Sequence, residues 1–545
     1  MIKEIINRHS KPLEAVKKYL KEVVYKKEYI ITQLLFLFVS FFYSLSNNAL
    51  SIDDFARDIY MGSELRMISG YRWGMVLIIR LLSFVELVPF SDDALGIIML
   101  ELSVIMIGSF LYMHEKEENI NIWKYIIFSS IYCTYPLINE IWEYTNCNIF
   151  IYLGIALNCF SIIFINCNKK DFSSFIIAGL YISIGFSSYE SSVFVYILLV
   201  LIHEFFEKTD DNNYKIIKNG LLYAVPFFIA VIIKYSVGYM LIKILNLDYI
   251  QNGATGISWF SGEIGKCVKN VIINVWYYVV RALSYFPIGE FVVSLIIYFI
   301  IVFKRKFYDH KNVLFIGIMI VISLFLLSIL QGERLSYRTA QTIQVFVPFV
   351  SFLLFDSLNH KKTLLLVILF FVSLRQSLYL NKVLSLNILR SENETSVIRQ
   401  LGHELYSNYD TSKTVIFCGQ YNLEDFIERQ ITIDVSNING QIENYIRKVM
   451  DHSERLYYDE YVLDNVDSLI NWCEHAFGGQ SLLKEYFSYC GYNINVIENF
   501  NEDDETVLNK YEEIAVKENM KPQEIREFDD YILVYFGPTL QNESY

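Results

Sequence analysis

Apolar blocks long enough to cross a bilayer recur along the first 384 residues of this chain. Ile30–Leu45, Leu314–Leu330 and Thr363–Leu374 contain no charged residue at all. A helix needs roughly 20 mostly apolar residues to cross a hydrocarbon core, somewhat fewer in a short crossing. Candidate crossings fall at 29–46, 93–113, 123–138, 147–165, 172–187, 190–206, 220–245, 287–303, 312–330, 338–357 and 362–380. Buried helices of soluble proteins do not repeat that pattern so often. The class is therefore an α-helical polytopic membrane protein with about 11 transmembrane helices. Composition agrees: 19% of the residues are charged, against about a quarter in soluble chains.

Charge divides the chain in two. Residues 385–545 carry 30 Asp+Glu against 12 Lys+Arg, a net of −18. The whole chain is −13, so residues 1–384 are slightly basic at +5. An acidic tail offers no face for nucleic acid, whose phosphates need a basic one. Short-loop basic residues mark the cytoplasmic side. Here they are Lys17, Lys18, Lys21, Lys26 and Lys27, then Lys169–Lys170, Lys215 with Lys218, Lys304–Arg305–Lys306, and Lys361–Lys362. All fall on one side only if the further apolar stretches 71–88 and 268–286 do not cross. Both are read as helices lying at the outer interface, where Arg72, Arg80 and Glu86, or Lys269 and Arg281, stay partly wet.

The expected organisation follows. Residues 1–28 form a basic amphipathic cytoplasmic segment rather than a cleavable leader. Residues 29–384 form the membrane domain, with a long first outer loop at 47–92. Residues 385–545 form an extracytoplasmic α/β domain. Its candidate strands are Thr414–Cys418, Ile431–Val435, Asn493–Ile497 and Tyr531–Phe536, with a helix over Ile442–Met450. No GxGxxG or phosphate-binding loop is present. Neither a CxxC pair nor a run of histidines marks a metal site, and Cys473 with Cys490 is the one pairing considered.

Several ionisable residues gather at the outer ends of the spans. Asp53-Asp54 follow the first crossing, with Arg57 beyond them. A carboxylate beside a like charge at the membrane boundary has a raised pKa suited to a general base; the pair also suits capping of the helix that begins at Ser51. Both readings stay open. Gly70-Tyr71-Arg72-Trp73-Gly74 sets an Arg beside an interfacial Trp. That arrangement clamps a phosphate bidentately or simply anchors a helix. Glu140 and Glu143 follow Pro136, Tyr189-Glu190 joins two spans, and Glu333, Arg334 and Arg338 share an outer loop. His203-Glu204 reads as a solvated inner helix end. Lys234 and Glu101 lie deeper, each a buried partner or a sign that its span is misplaced. Carboxylates and arginines at headgroup depth suit an amphiphile with a phosphate. Arginines would hold the phosphate as it leaves, and a carboxylate would deprotonate the incoming hydroxyl.

In this order the residues resemble the bacterial O-antigen glucosyltransferase II family, a branch of the GT-C membrane glycosyltransferases. The resemblance rests on Ser51-Ile52-Asp53-Asp54, Arg72-Trp73-Gly74, Pro136 with Glu140 and Tyr144, Ser188-Tyr189-Glu190, the Arg334 region and a C-terminal α/β domain. It implies a polyprenyl-phosphate sugar donor, often the glucose form, and inverting transfer to a surface glycan outside the bacterial plasma membrane. It implies Asp53 or Asp54 as base, and phosphate contacts from Arg57, Arg72, Arg281, Arg334 and Arg338. Acceptor or sugar contacts fall on Trp73, Glu140, Tyr144, Tyr189 and Glu190; the family often has Gln at the last position. Two carboxylates leave a divalent cation, Mg2+ or Mn2+, open at Asp53 and Asp54. The rival readings are a glycolipid flippase, which calls for repeats and broken helices, and a surface-glycan polymerase or ligase.

Overall fold

A computed structural model describes residues 2–47, 63–82, 89–115, 120–136, 141–142, 147–207, 213–249, 257–261, 264–284, 290–308, 312–333, 339–357, 362–419, 480–496 and 504–537. It divides into two compact units, with the change near residue 384.

The first unit is helical. In chain order its helices are α1 (Ile2–Tyr19), α2 (Lys27–Ser46), α3 (Ser63–Ser69), α4 (Trp73–Leu81), α5 (Pro89–Met113), α6 (Ile122–Thr134), α7 (Asn148–Cys167), α8 (Phe172–Ser188), α9 (Ser192–Phe206) and α10 (Asn213–Leu245). Then follow α11 (Ile264–Ser284), α12 (Glu290–Tyr308), α13 (Asn312–Ser323), α14 (Leu326–Gln331), α15 (Gln341–Ser357) and α16 (Lys362–Asn408). Among the described residues, five stretches are long and apolar enough to span a bilayer: Lys27–Ser46, Ser91–Met113, Asn148–Cys167, Asn219–Leu245 and Lys362–Asn381. Four shorter apolar helices accompany them. The stretch expected at 312–330 is broken by a turn at Leu324–Phe325 into α13 and α14. α4 has nine residues, about 14 Å of helix, too short to cross.

Burial separates central from peripheral helices. In α7, 83% of the apolar stretch is buried, against 28% in α2. On α2 the exposed apolar side chains are Ile30, Ile31, Leu34, Leu35, Phe38 and Phe42, one broad face at helical spacing, while Tyr29, Gln33, Phe36, Ser40 and Phe41 point inward. An apolar stripe facing outward beside a polar-containing inner face is the pattern of a helix solvated by lipid. Inside the bundle side-chain amides link neighbouring helices: Asn158 Nδ2 donates to the Ser192 carbonyl at 2.9 Å, and Gln33 Nε2 donates to Glu101 Oε1 at 2.9 Å. Glu101 is thus a buried partner. Asp171 caps α8 by accepting from the Ser174 amide at 2.9 Å and pairs with Arg8 at 2.7 Å, which ties α1 to that helix start.

The second unit is α/β. Strands β1 (Thr414–Cys418), β2 (Glu524–Glu527) and β3 (Tyr531–Tyr535) lie in the order β1-β3-β2, with β1 parallel and β2 antiparallel to β3. Residues alternate across β1 as strand geometry requires. Val415 and Phe417 face Leu401 and Leu405 of α16 and Phe487 of α17 (Gln480–Tyr489). Ile416 and Cys418 face Ala515 of α18 (Asp504–Lys517). The strand expected at Asn493–Ile497 is reduced to a single parallel bridge, Val415 to Val496. The expected Ile431–Val435 strand, the Ile442–Met450 helix and Cys473 lie outside the described residues.

Candidate functional site

The site is built from the Gly70–Gly74 turn outward. α3 ends in a Schellman closure: Arg72 N–H bonds the Met67 carbonyl at 2.7 Å and Tyr71 N–H bonds Ile68 at 2.9 Å. The left-handed residue of that closure is Tyr71, with φ 60, where glycine is usual. A side chain there costs about 1–2 kcal/mol. Its ring offsets part of that by packing edge-on to Tyr235 at 5.2 Å and tilted against Tyr249 at 5.6 Å. It fits because Gly238 of α10 has no side chain; a Cβ there would lie 2.3 Å from the Tyr71 ring.

The turn then delivers Arg72 to the start of α4. α4 crosses the C-terminal end of α8 at Gly74, where a Cβ would meet Ser187 Oγ at 2.4 Å and the Ile184 carbonyl at 2.7 Å. That close approach aims Arg72 at Glu190, just past the end of α8. Arg72 Nε lies 3.2 and 3.1 Å from the two Glu190 carboxylate oxygens, and Nη2 lies 3.1 Å from Oε2. From the other side Lys234 of α10 reaches Glu190 Oε1 at 3.3 Å and donates to the Phe186 carbonyl at 3.3 Å. Its ammonium lies 3.8 Å from the Phe186 ring centroid. Trp73 Nε1 donates to the Lys234 carbonyl at 3.1 Å, fastening α4 to α10.

Electrostatically this is two cations on one carboxylate. Lys234 is 2% exposed, Glu190 15% and Arg72 25%, so the excess positive charge is reachable through Arg72. Burial raises the Glu190 carboxyl, but Lys234 and then Arg72 outweigh it and hold it below its ordinary value. An arginine fork with residual positive charge is suited to bind a phosphate bidentately.

Of the residues singled out from sequence, Arg72, Trp73, Tyr189 and Glu190 fall in one cluster. Tyr189 is buried and forms the turn that sets Glu190. Asp53, Asp54, Arg57, Glu140, Tyr144, Arg334 and Arg338 lie outside the described residues, as does the Arg281 side chain on α11. The approach to Arg334 is described: α11 is bonded to the chain just before it by Asn274 Nδ2 to the Glu333 carbonyl at 2.7 Å and Asn270 Nδ2 to Gly332 at 3.1 Å. Lys234 is a buried partner of Glu190, a role the sequence left open. Glu290 was not singled out; it accepts from Gln376, whose own carbonyl accepts from Thr134 at 2.7 Å. Its only sequence signal is a carboxylate at the first residue of an apolar helix. His203, expected to be solvated, is 7% exposed, because Tyr223 of α10 covers it.

The profile of the family described as Glucosyl transferase GtrII matches residues 42–355, more than half of the chain and all of the cluster just described. The chain belongs to the GtrII glucosyl transferase family. It is a glycosyltransferase and, by its apolar helices, a membrane protein. No curated protein and no solved structure shows significant similarity to it. Residues 385–545 lie outside the family match, so the α/β unit carries no family assignment.

Proposed function

We propose that this glucosyltransferase moves glucose from a polyprenyl-phosphate carrier to a cell-surface glycan at the outer face of the bacterial plasma membrane. The observation that carries the reading is the Arg72–Glu190–Lys234 cluster, a net positive, partly open clamp on a membrane-embedded transferase. The donor enters sideways from the lipid. Its phosphate meets Arg72, joined by Arg57, Arg281, Arg334 and Arg338, and the positive excess stabilises charge on the departing lipid phosphate.

Asp53 or Asp54 takes the proton from the acceptor hydroxyl as that oxygen attacks the anomeric carbon. The lipid phosphate leaves from the opposite face with the bonding electrons, so the configuration inverts. Trp73, Glu140, Tyr144, Tyr189 and Glu190 line the sugar and acceptor side, and a divalent cation at Asp53 and Asp54 remains compatible with this scheme. Eleven crossings then run from a cytoplasmic N-terminus to an extracytoplasmic α/β domain beginning near residue 385. The paired ends support this order: Arg8 meets Asp171, and Lys124 meets Asp356, at the end of the bundle away from Glu190.

The test uses membranes containing the parent or the Asp53→Ala/Asp54→Ala protein, supplied with radiolabelled polyprenyl-phosphate glucose. Label should leave the lipid for glycan or water with the parent and stay on the lipid with the double variant. Equal release from both would remove the aspartates from the mechanism. No release from either, followed by positive flipping of the same lipid, would replace transfer with transport.

A further inference from the structure

At the far end of α9 from Glu190 the bundle holds a second polar group of different chemistry. His203 sits in the last turn of α9, His114 directly follows α5, and Glu207 closes α9 with its amide bonded to the His203 carbonyl at 3.0 Å. One ligand atom from each of the three lies within 4.8 Å of the other two. His203 Nδ1 faces His114 Nε2 at 3.2 Å. Two imidazole nitrogens bound to one tetrahedral zinc, each at 2.0–2.1 Å, stand about 3.3 Å apart.

The neighbours fix which His203 nitrogen has a lone pair. The Tyr223 hydroxyl donates its one proton to Asn166 Oδ1. It can therefore only accept from His203 Nε2, 2.8 Å away. Nε2 carries the ring proton, and Nδ1 turns its lone pair toward His114. A hydrogen-bonded second nitrogen is the usual partner of a metal-ligating imidazole. His114 is held by its stack on Phe206, with centroids 5.2 Å apart and planes at 17°. Glu207 is exposed at a helix end, so its carboxylate is free to turn inward.

We propose that His114, His203 and Glu207 form a binding site for a divalent transition cation of the zinc type. Two imidazoles and one carboxylate select such a metal over magnesium. The site ties the ends of α5 and α9 together and leaves a fourth position for water. α9 is 15 residues long, about 22 Å, so the metal stands at the opposite end of that helix from Glu190 and serves the bundle rather than the transfer step.

The full chain, purified in detergent through a tag without histidine and stripped with chelator, is titrated with Co2+ and then Zn2+. The parent should bind one equivalent of Co2+ with visible d–d absorption, lose that absorption to Zn2+, and melt at a higher temperature with metal present. His114→Gln and the exposed Glu207→Gln should each bind at least tenfold more weakly. Tyr223→Phe should keep the stoichiometry but weaken binding about 10–100-fold, an effect that a tyrosine serving packing alone would not produce. Absence of saturable binding, or equal binding by the parent and both ligand variants, overturns the proposal; the second result would send the metal to other carboxylates.

Discussion

The two ends of the helical unit solve the same electrostatic problem with opposite signs. At one end Arg72 and Lys234 share Glu190, leaving an excess of one positive charge. At the other, Lys124 at the start of α6 lies between Glu115 and Asp356, one cation shared by two carboxylates. In the second cluster the lysine is 4% exposed, and the more open member is Asp356 at 38%. In the first the excess is cationic, and the more open member is the arginine. Buried charge persists only when paired. On the proposed function the cationic excess at Arg72 suits an anion, whereas at Lys124 two carboxylates already surround the one cation.

The comparison breaks most easily at the cations. Arg72→Ala should lower kcat/KM for the lipid donor on the order of 100-fold, the usual loss for a donor aimed at developing charge, while the bundle stays folded. Lys124→Met should do the reverse. It removes the buried cation that Glu115 and Asp356 share, for a loss of about 2–3 kcal/mol after allowing for the exposure of Asp356, with turnover per folded molecule unchanged. Kinetics and melting of both variants give four numbers. If Lys124→Met lost turnover and Arg72→Ala lost only stability, the assignment of the two ends would be inverted.

A subtler cut separates the carboxylate from the cations it serves. Glu190→Gln removes the counter-charge but keeps shape and hydrogen bonding. We expect a lower Tm and transfer within about fivefold of the parent, because the glutamine leaves Arg72 available to phosphate. The same variant should erase a pH effect. Glu190 is held below its ordinary pKa by Lys234 and Arg72, so its stabilisation is complete above the ordinary glutamate range and is lost as pH falls through the depressed value. Melting curves of the parent should therefore decline in acid more steeply than those of Glu190→Gln. Parallel curves would mean that Glu190 does not couple to folding. A loss of transfer matching Arg72→Ala would make it part of the chemistry.

How much of this could be read from sequence depended on distance along the chain. Apolar block length identified the membrane class without further help, since lipid solvation acts on each helix separately. Arg72 and Glu190 were each recognisable as charged residues at a span end. That they touch was not, because their contact follows from α4 crossing α8 at Gly74, 118 residues being the separation of the pair. Lys234 read ambiguously for the same reason; its partner lies 44 residues away. His203 misled because His203-Glu204 at the end of a span looks like a solvated terminus, whereas Tyr223 from the following helix covers the ring. In the second unit the apolar runs Thr414–Cys418 and Tyr531–Phe536 stood out as strands. Glu524–Glu527 did not, because it forms the sheet edge, where charged residues guard against unwanted pairing.

That edge supplies the smallest expected effect and the control for the others. Arg526 on β2 pairs with Glu524 at 2.5 Å and with Glu518 at 3.2 Å, a geometry as close as anything around Glu190. The difference lies in the solvent. Here water can replace each lost contact, and fixing a long side chain costs entropy, so exposed ion pairs add little to stability. Arg526→Ala should leave both Tm and transfer at parental values, and added salt should not change that result. A measurable loss in this variant would show that distance alone sets the strength of these pairs. It would also remove the argument that burial is what makes Arg72, Glu190 and Lys234 different.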